Sequence, residues 1–414
     1  MTLIRQILDY NSRANPYPLY TELRKTPVLH DEDGAYVVST YWDIVNLLHD
    51  PRISSDHRKR TAGDAYGFAS QEGGAEGTTP PFLRLDPPEH DRLRRVTNRS
   101  FGPPHTPKRV QELGIELSGV VSSLIDGISD VDRIDIVEQV SYPFPVTAIC
   151  RLLGVPREDE VRFHHWADTL AASLDPKPGE NPTERNREVR DAQTQLGGYL
   201  AELIEERRKK PADDMLSHLV ASSGSQEETM SVIEAITTAA LLLIAGHETT
   251  VNLISNGMLT LLRHPEVLQR LRDDPKLAAP LVEELLRYEP PVHLLPNRTP
   301  LTDIEVCGVG IPKGALIWLV TAAGNRDPQR FADPDRFDPD RKDAGHLGFG
   351  SGIHSCFGAP LARVEAQLAL SQLARRLENP RLLEDPPEYR QNAVLRGRRH
   401  LNVACDRISP GTAQ

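Results

Sequence analysis

A glycine-rich loop that delivers one cysteine to the start of a helix constrains the fold of this chain more than any other feature. The loop reads Phe349-Gly350-Ser351-Gly352-Ile353-His354-Ser355-Cys356-Phe357-Gly358, and Ala359-Pro360 follows it. Glycine allows tight turns and the close approach of a flat molecule, whereas proline suits the first turn of a helix. A helix is therefore predicted to begin just after Cys356, where unpaired backbone N–H groups and the helix dipole favour a thiolate.

The residues that follow support this helix. An apolar residue recurs at helical spacing, which predicts that one face of the helix is buried in a core. The residues on this face are Ala362, Ala366, Ala369, Leu373 and Leu377.

Composition and charge exclude several other classes of protein. The chain has 414 residues, 39% of them hydrophobic, which favours a large globular protein over a disordered one. A net charge of −11 argues against nucleic acid as the main partner. Residues 235–246 form the longest uncharged apolar run, which is too short to span a bilayer, and no signal peptide is recognisable. We therefore expect a cytoplasmic protein without a membrane-spanning segment.

The cysteine pattern agrees with a reducing compartment. Cys150, Cys307 and Cys405 lack the setting of Cys356 and are interpreted as ordinary small hydrophobes. Because no two cysteines form a C-x-x-C pair, neither a disulfide framework nor a structural zinc site is expected.

A second signature lies near the middle of a long predicted helix. Residues 226–263 can form one unbroken helix, which ends before His264-Pro265 because proline cannot continue it. At its centre stands Ala245-Gly246-His247-Glu248-Thr249-Thr250. Glycine inside a helix costs about 1 kcal/mol relative to alanine, so Gly246 requires a packing or functional reason. The Thr249 hydroxyl can bond back to the Ala245 carbonyl or turn toward a ligand.

The residues of this motif also have plainer explanations. His247-Glu248 suggests a zinc site of the H-E-x-x-H type, but Val251 occupies the place of the second histidine and excludes it. Taken alone, Glu248 and Thr249 would be an ordinary solvated glutamate and a helix-lining threonine.

The order Phe-Gly-x-Gly-x-His-x-Cys-x-Gly around Cys356 resembles the haem-ligand loop of the cytochrome P450 family. The resemblance covers nearly the whole chain and implies a mainly α fold with a smaller β-rich portion, in a single domain over residues 1–414. It places the β-rich portion mainly at about 30–60 and 290–325, and the helical haem-binding core at about 89–290 and 345–380. Periodicity independently predicts β-like segments at 35–40 and 304–320.

The resemblance implies haem b, iron protoporphyrin IX, as the cofactor, with the Cys356 thiolate as the axial ligand of its iron. The residues around the haem would be Phe349, Gly350 and Gly358 in the loop, Ala245 and Gly246 on the long helix, and His90, Arg94, Arg298 and His354 at the propionates. Beside Gly246 we expect room for dioxygen and a haem face. Glu248 and Thr249 would be the acid–alcohol pair that delivers protons for cleavage of the O–O bond.

The resemblance also implies a substrate pocket and a structural ion network. The pocket would be lined by Leu241, Ile244, Ala245, Val292, His293, Leu294 and Val394. Packing in the helix core explains most of these residues equally well. Glu284 and Arg287 share one helix face, and Arg336 would join them in a buried network behind the haem. Segments 61–81 and 174–182 are predicted to be loops over the pocket.

The function implied by the resemblance is that of a haem-thiolate monooxygenase. An axial thiolate favours O–O cleavage, so we expect hydroxylation or epoxidation of a small apolar organic substrate with O2. Electrons would come from NAD(P)H through a ferredoxin reductase and an iron–sulfur ferredoxin that docks near Arg92, Arg95 and Arg99. A solvated helix face is the plainer interpretation of this basic stripe. The protein is expected to be a monomer.

Two alternatives stay open at this point. One is a peroxide-using or non-oxygenating haem-thiolate enzyme, against which Glu248-Thr249 argues because ready-made peroxide does not need that proton delivery. The other is a non-catalytic haem- or ligand-binding protein.

Overall fold

The computed structural model describes residues 1–63, 80–101, 109–174, 181–221 and 229–411. Most of the two loops predicted over the pocket, 61–81 and 174–182, lies outside these ranges. The helices are α1 (Leu3–Leu8), α2 (Tyr17–Leu23), α3 (Tyr41–His49), α4 (Glu89–Phe101), α5 (Arg109–Asp126), α6 (Pro143–Leu153), α7 (Glu160–Leu174), α8 (Pro182–Lys209), α9 (Met215–Val220), α10 (Val232–Arg263), α11 (Pro265–Asp273), α12 (Ala278–Tyr288), α13 (Thr321–Gly324) and α14 (Ala359–Arg376). The predicted mainly α fold is confirmed.

The strands are short and fall mostly in two parts of the chain. They are β1 (Val28–His30), β2 (Ala35–Val38), β3 (Ile53–Ser54), β4 (Ile134–Asp135), β5 (Leu295–Pro300), β6 (Ile304–Val306), β7 (Val309–Ile311), β8 (Leu316–Leu319), β9 (Leu377–Glu378), β10 (Arg381–Leu382), β11 (Asn402–Ala404) and β12 (Arg407–Ile408). The largest sheet has five strands in the order β1-β2-β8-β5-β3. It lies within the two ranges that were expected to be β-rich, while the single-domain organisation stays a prediction.

Side chains on the two faces of this sheet enter different cores. β2 and β8 run parallel, with Val37 opposite Trp318 and Val38 opposite Leu319. Because successive residues of a strand point to opposite faces, Val37 and Trp318 pack with α1 and α2. Val38 and Leu319 pack with α3 on the other side. Because β2 comes from the N-terminal part of the chain and β8 from the segment after α12, their pairing holds these two parts of the chain together.

The long helix α10 ends at Arg263, as predicted, but it begins at Val232 and not at residue 226. Ser231 and Glu234 form a capping box at its start, and His264 caps the end because Pro265 follows. Its length and apolar composition would also allow it to cross a membrane, a test that the core helix of a soluble protein passes as well. Most of its second half is buried against α6, α12 and α14 in the main hydrophobic core, and core packing explains its apolar character.

Candidate active site

The cysteine loop takes its shape from its glycines. Gly350 and Gly352 have φ values of +67° and +69°, a left-handed conformation that glycine adopts readily and other residues do not. At Gly350 a side chain would meet open space, whereas at Gly352 it would collide with the carbonyl of Leu48. The loop closes where the N–H of Cys356 donates to the Phe349 carbonyl at 2.8 Å. Cys356 thus stands just before α14, as predicted.

An arginine of α4 braces the same loop. Arg94 Nη1 donates to the Ile353 carbonyl at 2.7 Å, and its Nη2 donates to the Ser355 carbonyl at 2.6 Å. These bonds tie two guanidinium nitrogens to the loop, so Arg94 fixes the loop as well as lying beside the site. The sequence suggested only its role toward the cofactor.

Competing effects act on the Cys356 thiol. Its side chain is accessible to solvent, yet burial by the surrounding protein raises its pKa, while N–H groups of Gly358 and Ala359 and the charge of Arg94 lower it. A thiol that is surrounded by protein and still accessible to solvent lies on the wall of an internal cavity. The helix end therefore favours a thiolate only in part, and a cation at the sulfur is needed to complete the deprotonation.

Buried imidazoles lie near this wall and fit an anionic group. The rings of His90 and His354 are 4.4 Å apart between centroids. His90 Nε2 and both ring nitrogens of His354 are buried without a hydrogen-bond partner among the described residues. Burial, assisted by the charges of Arg298 and His90, lowers the pKa of His354 to about 3, so its ring is neutral near pH 7. Arg94 and Arg298 both act electrostatically on His354.

These residues match what a haem requires. The two propionates of haem need donors and positive charge, which His90, His354 and Arg298 offer on one side of the loop. The open space at Gly350 lets a flat ring approach the backbone. The structure therefore brings His90, Arg298 and His354 together from widely separated parts of the sequence, and their role at the propionates stays a prediction.

The central turn of α10 carries the proposed acid–alcohol pair. Thr249 Oγ1 donates to the Ala245 carbonyl at 2.7 Å, which confirms the predicted back-bond. Glu248 is 2% exposed and is therefore not a solvated glutamate. Its Oε1 lies 3.1 Å from Nε of Arg390, a residue that sequence reasoning did not single out.

The glycine in this turn lies where α10 packs closely against α6. A Cβ on Gly246 would lie 2.9 Å from Cδ1 of Ile149, so α10 and α6 approach each other closely here. The contact involves the end of the Ile149 side chain, and the expected role of Gly246 in leaving room for dioxygen stays a prediction.

A cavity of about 1200 Å³ opens beside α10. Its apolar wall includes Leu85, Leu170, Ile236, Ala240 and Ile244. Ile244 is the one residue of the predicted pocket set on this wall within the described ranges. α10 therefore lines this cavity with Ile236, Ala240 and Ile244, beside Glu234 and Thr237.

Two residues of the predicted pocket belong to the protein core instead. His293 is fully buried, and its Nδ1 lies 2.8 Å from the Tyr20 hydroxyl. Leu294 is 1% exposed and packs with the N-terminal helices. The prediction for these two was wrong because the chain between α12 and β5 turns them toward α2. Leu241, Ala245, Val292 and Val394 are only partly buried or exposed, and their pocket role stays a prediction.

The predicted ion network exists with a different third member. Arg287 donates to both oxygens of Glu284, at 2.7 and 2.8 Å, and both side chains are buried. Arg341 Nε lies 3.4 Å from Glu284. Arg336 contributes only its carbonyl, since its guanidinium is 65% exposed and binds Asp338. The sequence did not distinguish the two arginines because both follow α12 in the same loop.

Arg92, Arg95 and Arg99, which were predicted to form one basic surface for a redox partner, do not all lie on the same exposed surface. Arg92 forms an ion pair with Glu234 of α10 and lines the cavity. It therefore does not share an exposed surface with Arg95, which is exposed, and Arg99, which is half-buried. The three arginines look equivalent in the sequence because the partner of Arg92 is far away along the chain.

Sequence reasoning missed a buried carboxyl group between the two signature helices. Glu365 of α14 is 2% exposed, and burial raises its pKa well above the usual range, while a hydrogen bond to Thr250 opposes this. The signal was present, because Glu365 shares the face of Ala362 and Ala369 at helical spacing. A charged residue inside an apolar stripe marks such a group.

The raised pKa of Glu365 predicts a pH-dependent stability. Above about pH 4.5 the folded chain keeps a proton there that the unfolded chain releases, so the free energy of unfolding falls by about 1.4 kcal/mol per pH unit until the folded pKa is passed. Glu365→Gln removes this loss. Chemical unfolding of both proteins should be measured at pH 5.5 and at pH 7.5. The free energy of unfolding of Glu365→Gln minus that of the wild type should be about 1–3 kcal/mol larger at pH 7.5 than at pH 5.5. The same change at exposed Glu305 should give no such gain.

Comparisons with known proteins agree with the geometry. The cytochrome P450 family model matches residues 82–401. Cytochrome P450 monooxygenase PikC of Streptomyces venezuelae is 37% identical over 405 residues, which are 96% of this chain and 92% of that protein. Vitamin D(3) 25-hydroxylase of Pseudonocardia autotrophica is 38% identical over 392 residues, 92% of each. Ligand-free CYP164A2 of Mycobacterium smegmatis superposes with a TM-score of 0.83 at 41% identity, covering 97% of this chain and 99% of that one.

A cysteine in a glycine-rich loop just before a buried helix is typical of haem-thiolate oxidoreductases. The chain belongs to the cytochrome P450 family and is a monooxygenase.

Proposed function

We propose that this monooxygenase inserts one atom of O2 into a large apolar organic molecule, by hydroxylation or epoxidation, with haem b bound through Cys356. The observation that carries the proposal is the Cys356 thiol, accessible yet enclosed, with N–H donors of Gly358 and Ala359 at its sulfur. Bound haem would supply the activation of dioxygen, which ligation by the Cys356 thiolate would favour. A single domain spanning residues 1–414 holds both signatures.

The chain's own residues orient the cofactor and move protons. His90, His354 and Arg298 would hold the propionates, and Arg94 keeps the cysteine loop in place. Thr249 can exchange its bond to the Ala245 carbonyl for a bond to a ligand. Glu248, buried beside it, takes up a proton and passes it toward the Thr249 hydroxyl.

The cavity supports a substrate of macrolide, steroid or terpenoid size. Its volume of about 1200 Å³ is above the range of most small-molecule sites. Some of its charged lining residues are paired with each other, as in Arg92–Glu234 and Lys59–Asp86, and we infer that the apolar wall provides the main contact with the substrate. Relatives include a 6-deoxyerythronolide B hydroxylase of Saccharopolyspora erythraea, 34% identical over 416 residues, which fits this size.

Electrons reach the site from a partner protein. We infer that NAD(P)H reduces a ferredoxin through its reductase, and that the ferredoxin docks at the surface carrying Arg95 and Arg99. The protein is proposed to work as a monomer in the cytoplasm.

Thr249→Ala tests the proton delivery. Product formed per NADPH oxidised should fall about tenfold, because general acid–base groups commonly contribute at least this much. The measurement compares product with NADPH consumption, using a surrogate ferredoxin system and a substrate found by its shift of the haem absorbance. Thr260→Ala is the matched control, since Thr260 Oγ1 makes the same back-bond, to the Asn256 carbonyl at 2.8 Å, away from the site.

Normal coupling in Thr249→Ala would contradict the proton-delivery role. Turnover supported by hydrogen peroxide at a higher rate than by ferredoxin, in the wild type, would favour the peroxide-using alternative instead.

A further inference from the structure

A hairpin near the C-terminus presents a cation to the acid of α10. Arg390 Nε lies 3.1 Å from Glu248 Oε1, and the two side chains are 10% and 3% exposed. Asn252 Nδ2 donates to the same oxygen at 3.4 Å. Because water is largely excluded from this pair, its attraction is stronger than that of a surface salt bridge.

The backbone of the hairpin explains why Arg390 reaches this point. The N–H of Arg390 donates to the Gly397 carbonyl at 3.1 Å, so the two residues face each other across the hairpin. A Cβ on Gly397 would collide with the amide of Asn252. The glycine therefore lets the hairpin lie directly on α10, one turn beyond Glu248.

Other polar groups around the pair come from the neighbouring elements. The ring of Tyr142 lies 5.9 Å from the Arg390 guanidinium. Burial raises the pKa of Tyr142, and the charges of Asp168 and Glu248 add to this. Asp168 of α7 bonds to Tyr142, and burial raises its own pKa. The Tyr142 ring and Asp168 therefore offer Glu248 no positive charge.

The nearby histidines are neutral as well. Burial lowers the pKa of His247, next to Glu248 in α10, to about 3. Burial also lowers the pKa of His164 of α7, although the charge of Asp168 opposes this. Near neutral pH, then, the positive charge that faces Glu248 in these contacts is the guanidinium of Arg390.

We propose that Arg390 is the positioning residue for Glu248: it fixes the orientation of the carboxyl group and favours its ionised form between proton transfers. The inference rests on the proposed proton delivery by Glu248. A proton taken from solvent by the carboxylate weakens the ion pair, and its release toward Thr249 restores it. Arg390 thus returns Glu248 to the state that accepts the next proton.

The test follows the Glu248 carboxylate directly, by infrared spectroscopy of the haem-loaded protein. In each background the spectrum of the matching Glu248→Gln protein is subtracted, and the remaining carboxylate band is titrated with pH. In Arg390→Gln the midpoint should move up by about one pH unit or more, because an opposite charge at this distance is removed. Arg390→Lys, which keeps the charge, should stay close to the wild type.

Arg399→Gln is the matched control, since it removes an arginine of the same hairpin that pairs with exposed Glu388. It should leave the midpoint unchanged. An unchanged midpoint in Arg390→Gln, or an equal shift in Arg399→Gln, overturns the proposal. If Arg390→Gln does not fold, Arg390→Met, which removes the charge without leaving a buried polar group unpaired, takes its place, and an unchanged midpoint in that variant overturns the proposal.

Coupling of NADPH use to product separates this proposal from the proposed function. Arg390→Gln should lower product per NADPH about as much as Glu248→Gln, with Arg390→Lys restoring part of it. A shifted midpoint in Arg390→Gln, together with normal coupling in Glu248→Gln, would support the positioning role of Arg390. The same result would reject proton delivery by Glu248.

Discussion

Replacing Cys356 with serine should abolish the thiolate signature of the haem and reduce turnover by more than about 100-fold. Loss of a group that merely supports a metal ligand commonly costs 10–100-fold, and loss of the ligand itself should cost more. Serine keeps the size and the N–H contacts from Gly358 and Ala359, but its oxygen cannot replace an anionic sulfur. The measurement is the absorbance of the dithionite-reduced protein under carbon monoxide, together with product formation.

No other cysteine can take over this role. Burial raises the pKa of both Cys150 and Cys405, so each stays a thiol. Cys307 is exposed at the turn between β6 and β7, and Cys307→Ser is the matched control that should leave the spectrum unchanged. A red-displaced Soret band in the Cys356→Ser protein would refute the assignment of the axial ligand.

Local patterns predicted much of this site. The cysteine loop, the start of α14 and the back-bond of Thr249 depend on neighbours within a few residues, so glycine, proline and spacing are sufficient to predict them. The same holds for α10, whose end follows from Pro265. Where backbone conformation and short spacing determine the structure, the sequence alone is informative.

The wrong or missing predictions depend on which way a side chain turns toward a distant element. His293 turns to Tyr20 rather than to the pocket. Arg92 forms an ion pair with Glu234, and Arg390 forms one with Glu248, although the partners are far apart in the chain. Such pairings depend on tertiary packing, and no periodicity or motif in the sequence specifies them.

A buried cluster of one glutamate and three arginines near α10 should contribute strongly to the stability of the fold. Glu289, just after α12, lies 2.5 Å from Arg396, 3.5 Å from Arg326 and 4.0 Å from Arg398. The guanidinium of Arg326 also stacks 3.5 Å above the ring of Tyr17. All three arginines are buried, so one carboxylate faces three cations that water does not solvate.

Glu289→Gln should therefore lower the free energy of unfolding by about 3–5 kcal/mol, the usual cost of leaving a buried ion without its partner. Glutamine keeps the size of the side chain, which makes the loss electrostatic. The measurement is urea or guanidinium unfolding near pH 7. Glu388→Gln is the control, since Glu388 is about half exposed and pairs with Arg399 at 3.2 Å, and such surface pairs contribute about 0–1 kcal/mol.

The pH dependence of this difference identifies its cause. Burial alone would raise the pKa of Glu289, but the charges of Arg396, Arg326 and Arg398 outweigh it and lower the pKa to about 2. The carboxylate therefore stabilises the fold fully above about pH 4.5, and this contribution is lost as the pH falls toward 2. The gap between wild type and Glu289→Gln should narrow as unfolding is measured from pH 6 down toward pH 4 and below. A gap that stayed constant over this range would mean that packing, rather than the charge of Glu289, holds the hairpin of Arg396 and Arg398 against α10.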